Sequence, residues 1–247
     1  MPKVRFDFSF FLLLFGIILT GTFREFSFFF SVLFVHECGH FLMARFFHWE
    51  VREIAFYSYG GCTKFKTRVN TPLKEEFWVL IMGPFFQVVF AFFMMQILSR
   101  TVDQQAFLQY HYGILLFNLL PIYPLDGGKL CHLLWERFVP YKKSFSYVFT
   151  MSFFFLVGLS ILLISNHQVN YLVILVLLWL KLFQEVRKSG YYYQRFLMER
   201  YLEQLNFPRH KLINEENGMF RDCRHLFYQK GHYLTERQVL KRKFRGL

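Results

Sequence analysis

The sequence lacks the cysteine pairing that a small secreted or zinc-ribbon domain needs. Cys38, Cys62, Cys131 and Cys223 lie far apart with no C-x-x-C among them, which excludes a disulfide framework and a ribbon and reads as reduced thiols. Acids are scarce, 17 Asp and Glu against 29 Lys and Arg. Charge of either sign is thin at 19%, while 54% of the 247 residues are hydrophobic and 36 are Phe. That excludes an ordinary soluble domain and points to an all-α polytopic membrane protein. In such a chain the net charge of +12 follows from the positive-inside rule, and no nucleic-acid partner is needed to explain it. A good cleavage site is also missing. Lys3 and Arg5 precede an apolar run, but Thr20-Gly21-Thr22 is a poor processing site, so the run reads as an uncleaved first span.

A membrane helix needs roughly 20 apolar residues. Stretches of that kind lie at about 6–23, 25–47, 75–98, 105–125, 147–165 and 169–185, which predicts six spans, the first two as a tight hairpin. With the N-terminus cytoplasmic, Arg52, Lys64, Lys66, Arg68, Lys74, Arg137, Lys142, Lys143 and most of the basic tail fall on the cytoplasmic side, leaving Arg24 and Arg100 opposite. Both termini are therefore expected in the cytoplasm. Residues 1–190 read as the membrane domain and 191–247 as a basic cytoplasmic segment, too short to build a robust core alone. Within it Arg224 to Tyr233 reads as strand and then turn.

Inside the second apolar run stands His36-Glu37-Cys38-Gly39-His40. On a helix residues four apart share a face, so both imidazoles can hold one metal ion while Glu37 reaches a water bound to it. Ionisable groups at membrane depth cost about 2.5–3.5 kcal/mol each on insertion scales, so three within five residues call for a compensating partner. A metal ion is one.

Between the second and third spans, Val51 to Lys66 has strand composition broken by Gly60-Gly61. This is a hairpin or bent edge strand, either a plain interfacial loop or an edge able to pair with an extended peptide. The third span opens on Thr71-Pro72 with Glu75-Glu76 in its first turn, a helix-start signature, and contains Gly83-Pro84, where proline kinks a helix. The fourth ends in Asn118-Leu-Leu-Pro-Ile-Tyr-Pro-Leu-Asp126-Gly-Gly-Lys129. Its prolines and glycines predict a non-helical segment through Gly128, tolerated at membrane depth where backbone lines a wet cavity. Asp126 is the only acid between Asp103 and Glu136. A catalytic zinc takes three protein ligands and an open position, and Asp126 is the third after His36 and His40. His48, His111 and His132 lack an acidic neighbour at comparable depth and read as packed or interfacial. Glu37 is then the general base and the Asn118 amide a candidate oxyanion contact. Apart from Glu185 at the very end of the sixth, spans five and six offer no acids or histidines, against a transport path; a metal-binding membrane protein without proteolysis is the alternative.

At this point the chain resembles the site-2 protease family of intramembrane metalloproteases, and within it the stage IV sporulation branch that releases a mother-cell sigma factor. The likeness rests on His36-Glu-Cys-Gly-His40, Tyr59-Gly-Gly-Cys-Thr63, Pro72-Leu-Lys-Glu-Glu-Phe77, Gly83-Pro84, Asn118 to Lys129 and Phe196-Leu-Met-Glu-Arg-Tyr201. It implies one zinc ion on His36, His40 and Asp126, Glu37 as base, Asn118 as a substrate or oxyanion contact, and Gly60-Gly61 as part of a substrate-pairing strand. It also implies a membrane-anchored substrate, here a sigma-factor precursor, with inhibitory membrane partners. The setting would be the mother-cell or forespore-surrounding membrane of a sporulating bacterium. A homo-oligomer is compatible with it. Relatives often carry a nucleotide-sensing CBS module after the last span, of which this tail holds at most a fragment around Asp222 to Phe244. Where many relatives have Asn after Gly-Pro, this chain has Gln87.

Overall fold

The computed structural model describes residues 3–6, 8–57, 60–65, 69–98, 101–165, 171–203, 207, 209–229 and 231–244. Tyr59, Lys66, Arg68, Arg100 and the first residues of the sixth expected span lie outside them. The chain divides into two compact units, one of residues 1–67 and 74–118, the other of 68–73 and 119–247.

In the first unit strand β1 (Lys3–Phe6) leads into helix α1 (Phe8–Thr20), and α2 (Phe23–Phe46) carries the pentad. The turn after α2 bends through His48, whose φ of 59° lies in the left-handed region, a conformation that stops a helix. Strands β2 (Val51–Tyr57) and β3 (Gly60–Phe65) follow as an antiparallel hairpin with Tyr57 opposite Gly60. Their composition made that hairpin legible. What it did not suggest is β1, which pairs parallel with β2, Lys3 opposite Glu53 and Phe6 opposite Phe56. The sheet order β1-β2-β3 leaves β3 at an edge.

Helix α3 (Leu73–Ile97) runs as one element through Pro84, with Pro72 just ahead of it and Glu75 and Glu76 in its first turn. Helix α4 (Thr101–Leu119) completes the unit. The three long helices share an apolar cluster of Phe28, Val32, Leu33, Ala91, Phe107 and Ile114. Phe107 is fully buried and meets Phe28 and Phe90 edge-on at 5.8 and 5.9 Å, a favoured aromatic geometry. Arg24 pairs with Glu25 at 3.0 Å and Asp103 at 3.2 Å.

In the second unit α5 (Asp126–Phe138) corrects the expected run of irregular chain. Only Leu120 to Leu125 is non-helical, and Asp126, Gly127 and Gly128 form the first turn of a helix. These glycines serve close approach rather than chain reversal. A Cβ on Gly127 would strike the Leu119 and Leu120 carbonyls, and one on Gly128 the backbone of Ile122 and Tyr123. Helices α6 (Tyr141–Ser165) and α7 (Leu172–Leu202) follow, then β4 (Arg209–Ile213), β5 (Cys223–Gln229), β6 (His232–Thr235) and α8 (Glu236–Phe244). Strand β5 lies between β4, parallel, and β6, antiparallel.

The tail does not have to build its own core. Met219, Phe227, Val239 and Leu240 bury against Tyr141 and Phe145 of α6 and Tyr193, Phe196 and Leu197 of α7. Arg200 fixes the join: it donates to the carbonyls of Phe220, Arg221 and Cys223, to Asn70 Oδ1, and to Glu236 Oε1 at 2.9 Å. Arg221 in turn reaches the fully buried Glu136 at 2.7 Å and the Thr71 hydroxyl. Burial opposes ionisation of Glu236, but hydrogen bonding from His225 and the charge of Arg200 outweigh it and hold its carboxyl below the usual range.

Among the described residues α2, α3 and α6 are long and apolar enough to cross a membrane. The other stretches read as spans are helical too, over 13 residues in α1, 19 in α4 and 31 in α7. Cys38, Cys131 and Cys223 carry no disulfide, in line with reduced thiols.

Candidate metal centre

The helical period of α2 places His36 and His40 one turn apart on the face that the bundle buries, with 1% and 7% of their surfaces exposed. Their Nε2 atoms face each other at 3.1 Å. Two imidazole nitrogens on a tetrahedral zinc, with bonds of about 2.0–2.1 Å, lie about 3.3 Å apart, so the observed pair has the spacing of two ligands of one ion.

The far side of each ring is committed to α3. His40 Nδ1 lies 2.7 Å from the Val79 carbonyl, which only accepts, so Nδ1 carries the proton and neutral His40 keeps its lone pair on Nε2. His36 Nδ1 lies 2.8 Å from Gln87 Oε1. Lone pairs brought together in this way repel unless a cation sits on them, so the donor set fits a divalent metal.

Glycines allow the rings this placement. A Cβ on Gly39 would overlap the Met82 carbonyl, and one on Gly83 would run into the His40 ring. Small residues let helix backbones approach closely where apolar burial gives no driving force between helices. Val79, Gly83 and Gln87 recur at four-residue intervals, so one stripe of α3 supplies an acceptor, a gap and an acceptor.

Glu37, one residue along from His36, is half-buried, as is Asn118 near the end of α4. Gly60 and Gly61 open β3, opposite Tyr57 and Phe56. His111 is buried and stacks at 13° on Phe107, while His48 is exposed in its turn. In the second unit Asp126 is 7% exposed at the N-terminus of α5, where the helix dipole favours an anion. Lys129 donates to its Oδ1 at 3.2 Å. His132 is engaged with the Ser144 hydroxyl at 3.0 Å and Glu136 at 3.6 Å, the surroundings of a packed histidine rather than a ligand. Neither Val79 nor Gln87 is marked by residue type alone; their four-residue spacing about Gly83 is the sequence signal for their shared face.

Residues 26–111, which hold the pentad and the α3 stripe, match peptidase family M50. Stage IV sporulation protein FB of Bacillus subtilis (strain 168) is 35% identical over 190 residues, covering 74% of this chain and 66% of that protein. The chain belongs to peptidase family M50. A second relative, the Synechocystis protein sll0528, whose name includes the words zinc metalloprotease, is 33% identical over 116 residues, 43% of this chain and 30% of its own. This M50 chain thus spans about two thirds of the first relative's length and under a third of the second's. Its fold is that of the site-2 protease from Methanocaldococcus jannaschii, with a TM-score of 0.57 at 17% identity over 75% of this chain and 92% of that one. With three apolar helices of spanning length, this member of M50 is a membrane protein.

Proposed function

We propose that the protein is an intramembrane zinc metalloprotease that hydrolyses a peptide bond in or near the membrane-associated segment of its substrate. The observation that carries the reading is the pair of buried Nε2 atoms 3.1 Å apart on a helix that also holds Glu37. His36, His40 and Asp126 are the ligands. Two imidazoles and a carboxylate suit zinc, and the position of Asp126 in the first turn of α5 favours its ionised, ligating form. When bound there, zinc supplies Lewis acidity, lowering the pKa of a water to about 7 and polarising a carbonyl.

The chain's own residues do the rest. Glu37 takes the proton from water as its oxygen bonds to the peptide carbon, and delivers it to the leaving amine as the C–N bond breaks. The Asn118 amide donates to the carbonyl oxygen as negative charge builds on it. Edge strand β3, entered at Gly60 and Gly61, offers backbone groups to an extended substrate.

The likeness to Stage IV sporulation protein FB supports a sigma-factor precursor as substrate, inhibitory membrane partners and a sporulating bacterium's membrane. Six spans with both termini cytoplasmic agree with the lysine and arginine bias. Pairing of Arg24 with Glu25 and Asp103 offsets one of the two basic residues left on the opposite side.

The test is co-expression with a membrane-anchored pro-sigma factor, with metal content of each purified protein. Wild type should cleave. Glu37→Gln should retain metal and lose about 10²–10⁴-fold in rate, and Asp126→Ala should lose metal and activity together. Equal metal in all three with cleavage in none would turn the reading to a metal-binding membrane protein without proteolysis.

A further inference from the structure

Both imidazoles are oriented from α3, by groups of different kind. The Val79 carbonyl that meets His40 has a single role. The group that meets His36 is an amide side chain, whose oxygen and nitrogen ends can be exchanged unless something beyond them decides. Here something does: the other end of Gln87 lies 2.8 Å from the backbone carbonyl of His111. A carbonyl only accepts, so the NH2 must point to it and Oε1 must point to His36. Oε1 in turn only accepts, so His36 carries its proton on Nδ1 and turns the Nε2 lone pair toward His40.

We propose that Gln87 is the positioning residue that sets the tautomer and ring orientation of His36 for divalent-metal binding, and that it is itself held by the His111 carbonyl. The assignment rests on the metal centre proposed above and deepens it. Gln87 has no exposed surface, and His111 Nδ1 lies 3.5 Å from its amide nitrogen. Stacking of His111 on Phe107 and the carriage of His111 on α4 give the relay a rigid end. A neutral amide suits the setting, since a carboxylate would add another charge at membrane depth.

The experiment is zinc affinity of the full chain purified in detergent, by competition with a chromophoric chelator, beside the visible spectrum of the cobalt-loaded protein. Gln87→Met removes the acceptor at nearly constant volume and should weaken zinc about 10–100-fold while altering the cobalt bands. Gln87→Glu keeps an oxygen at His36 and should hold zinc within about threefold of wild type. Gln87→Asn draws the oxygen back by one methylene and carries the expectation of the Met variant should that one not fold. Met and Asn variants that bind zinc as tightly as wild type overturn the role of Gln87 and leave the metal centre standing. So does a Glu variant as weak as the Met variant. Wild type that holds no zinc removes the metal centre and this assignment with it.

Discussion

The two units bury polar groups by opposite means. In the first, the imidazoles of His36 and His40 are held by an amide and a backbone carbonyl, and none of these hydrogen bonds brings a charge into the bundle. In the second, Arg200, Arg221 and Glu136 are buried and Glu236 is half-buried, and the two arginines pair with the two carboxylates and with main-chain oxygens. A histidine ligand has to be neutral and keep a lone pair, and a carbonyl or an amide fixes its proton without adding another charge at membrane depth. A joint between the tail and α5 and α7 has no such demand, and charge-assisted hydrogen bonds, stronger than neutral ones, serve it. Ligand half and joint should therefore fail in different ways.

The sharpest break is Gly83→Ala. The new methyl would meet the His40 ring, which the Val79 carbonyl holds from the other side, so the ring must move or the helices must part. Zinc affinity should fall by about 100-fold, the upper end of what loss of ligand support costs. Chelator competition reads it. An affinity unchanged from wild type would mean that α3 does not fix the ring.

Next is Arg221→Met, which leaves Glu136 buried without its guanidinium partner. Breaking one side of a buried pair costs about 3–5 kcal/mol, seen as a lowered unfolding temperature in detergent, with zinc affinity unchanged. Adding Glu136→Leu should recover much of the loss, because exchanging the whole pair for apolar groups is often neutral. A single variant that lost zinc as readily as stability would erase the distinction between the units.

How much of this was legible beforehand depends on sequence distance. His36, Glu37 and His40 declare themselves within five residues, and β2-β3 and the β5-turn-β6 run are local patterns of composition and turn signals. The support of His36 joins residues 51 and 24 apart in the chain, His36 to Gln87 to His111; Gln87 stood out only as a departure from the asparagine of relatives. Strand β1 is four residues long and has meaning only beside β2. Gly127-Gly128 misled for a physical reason. Glycine marks both a turn and a place where backbones touch, and α5 uses it for the second. The tail was too short for a core of its own, and the sequence could not say that α6 and α7 lend it one.

The smallest expected effect is one of pH. Burial, with the charge of Arg221 behind it, pushes the His132 imidazole down to about 3 from an ordinary 6.5. Above about pH 6.5 this histidine is neutral in both folded and unfolded chains and makes no difference to stability. Below it the unfolded chain takes up a proton that the folded one refuses until about pH 3, so stability falls as pH drops through that window. Melting temperatures at pH 7.5 and 5.5 should therefore differ more for wild type than for His132→Gln, which retains a polar group near Ser144 and cannot titrate. The comparison has to be made on metal-free protein, because metal binding is itself pH-dependent. An equal acid shift in wild type and variant would place the acid sensitivity of the second unit elsewhere, with the Glu236 carboxylate beside His225 and Arg200 the next group to test.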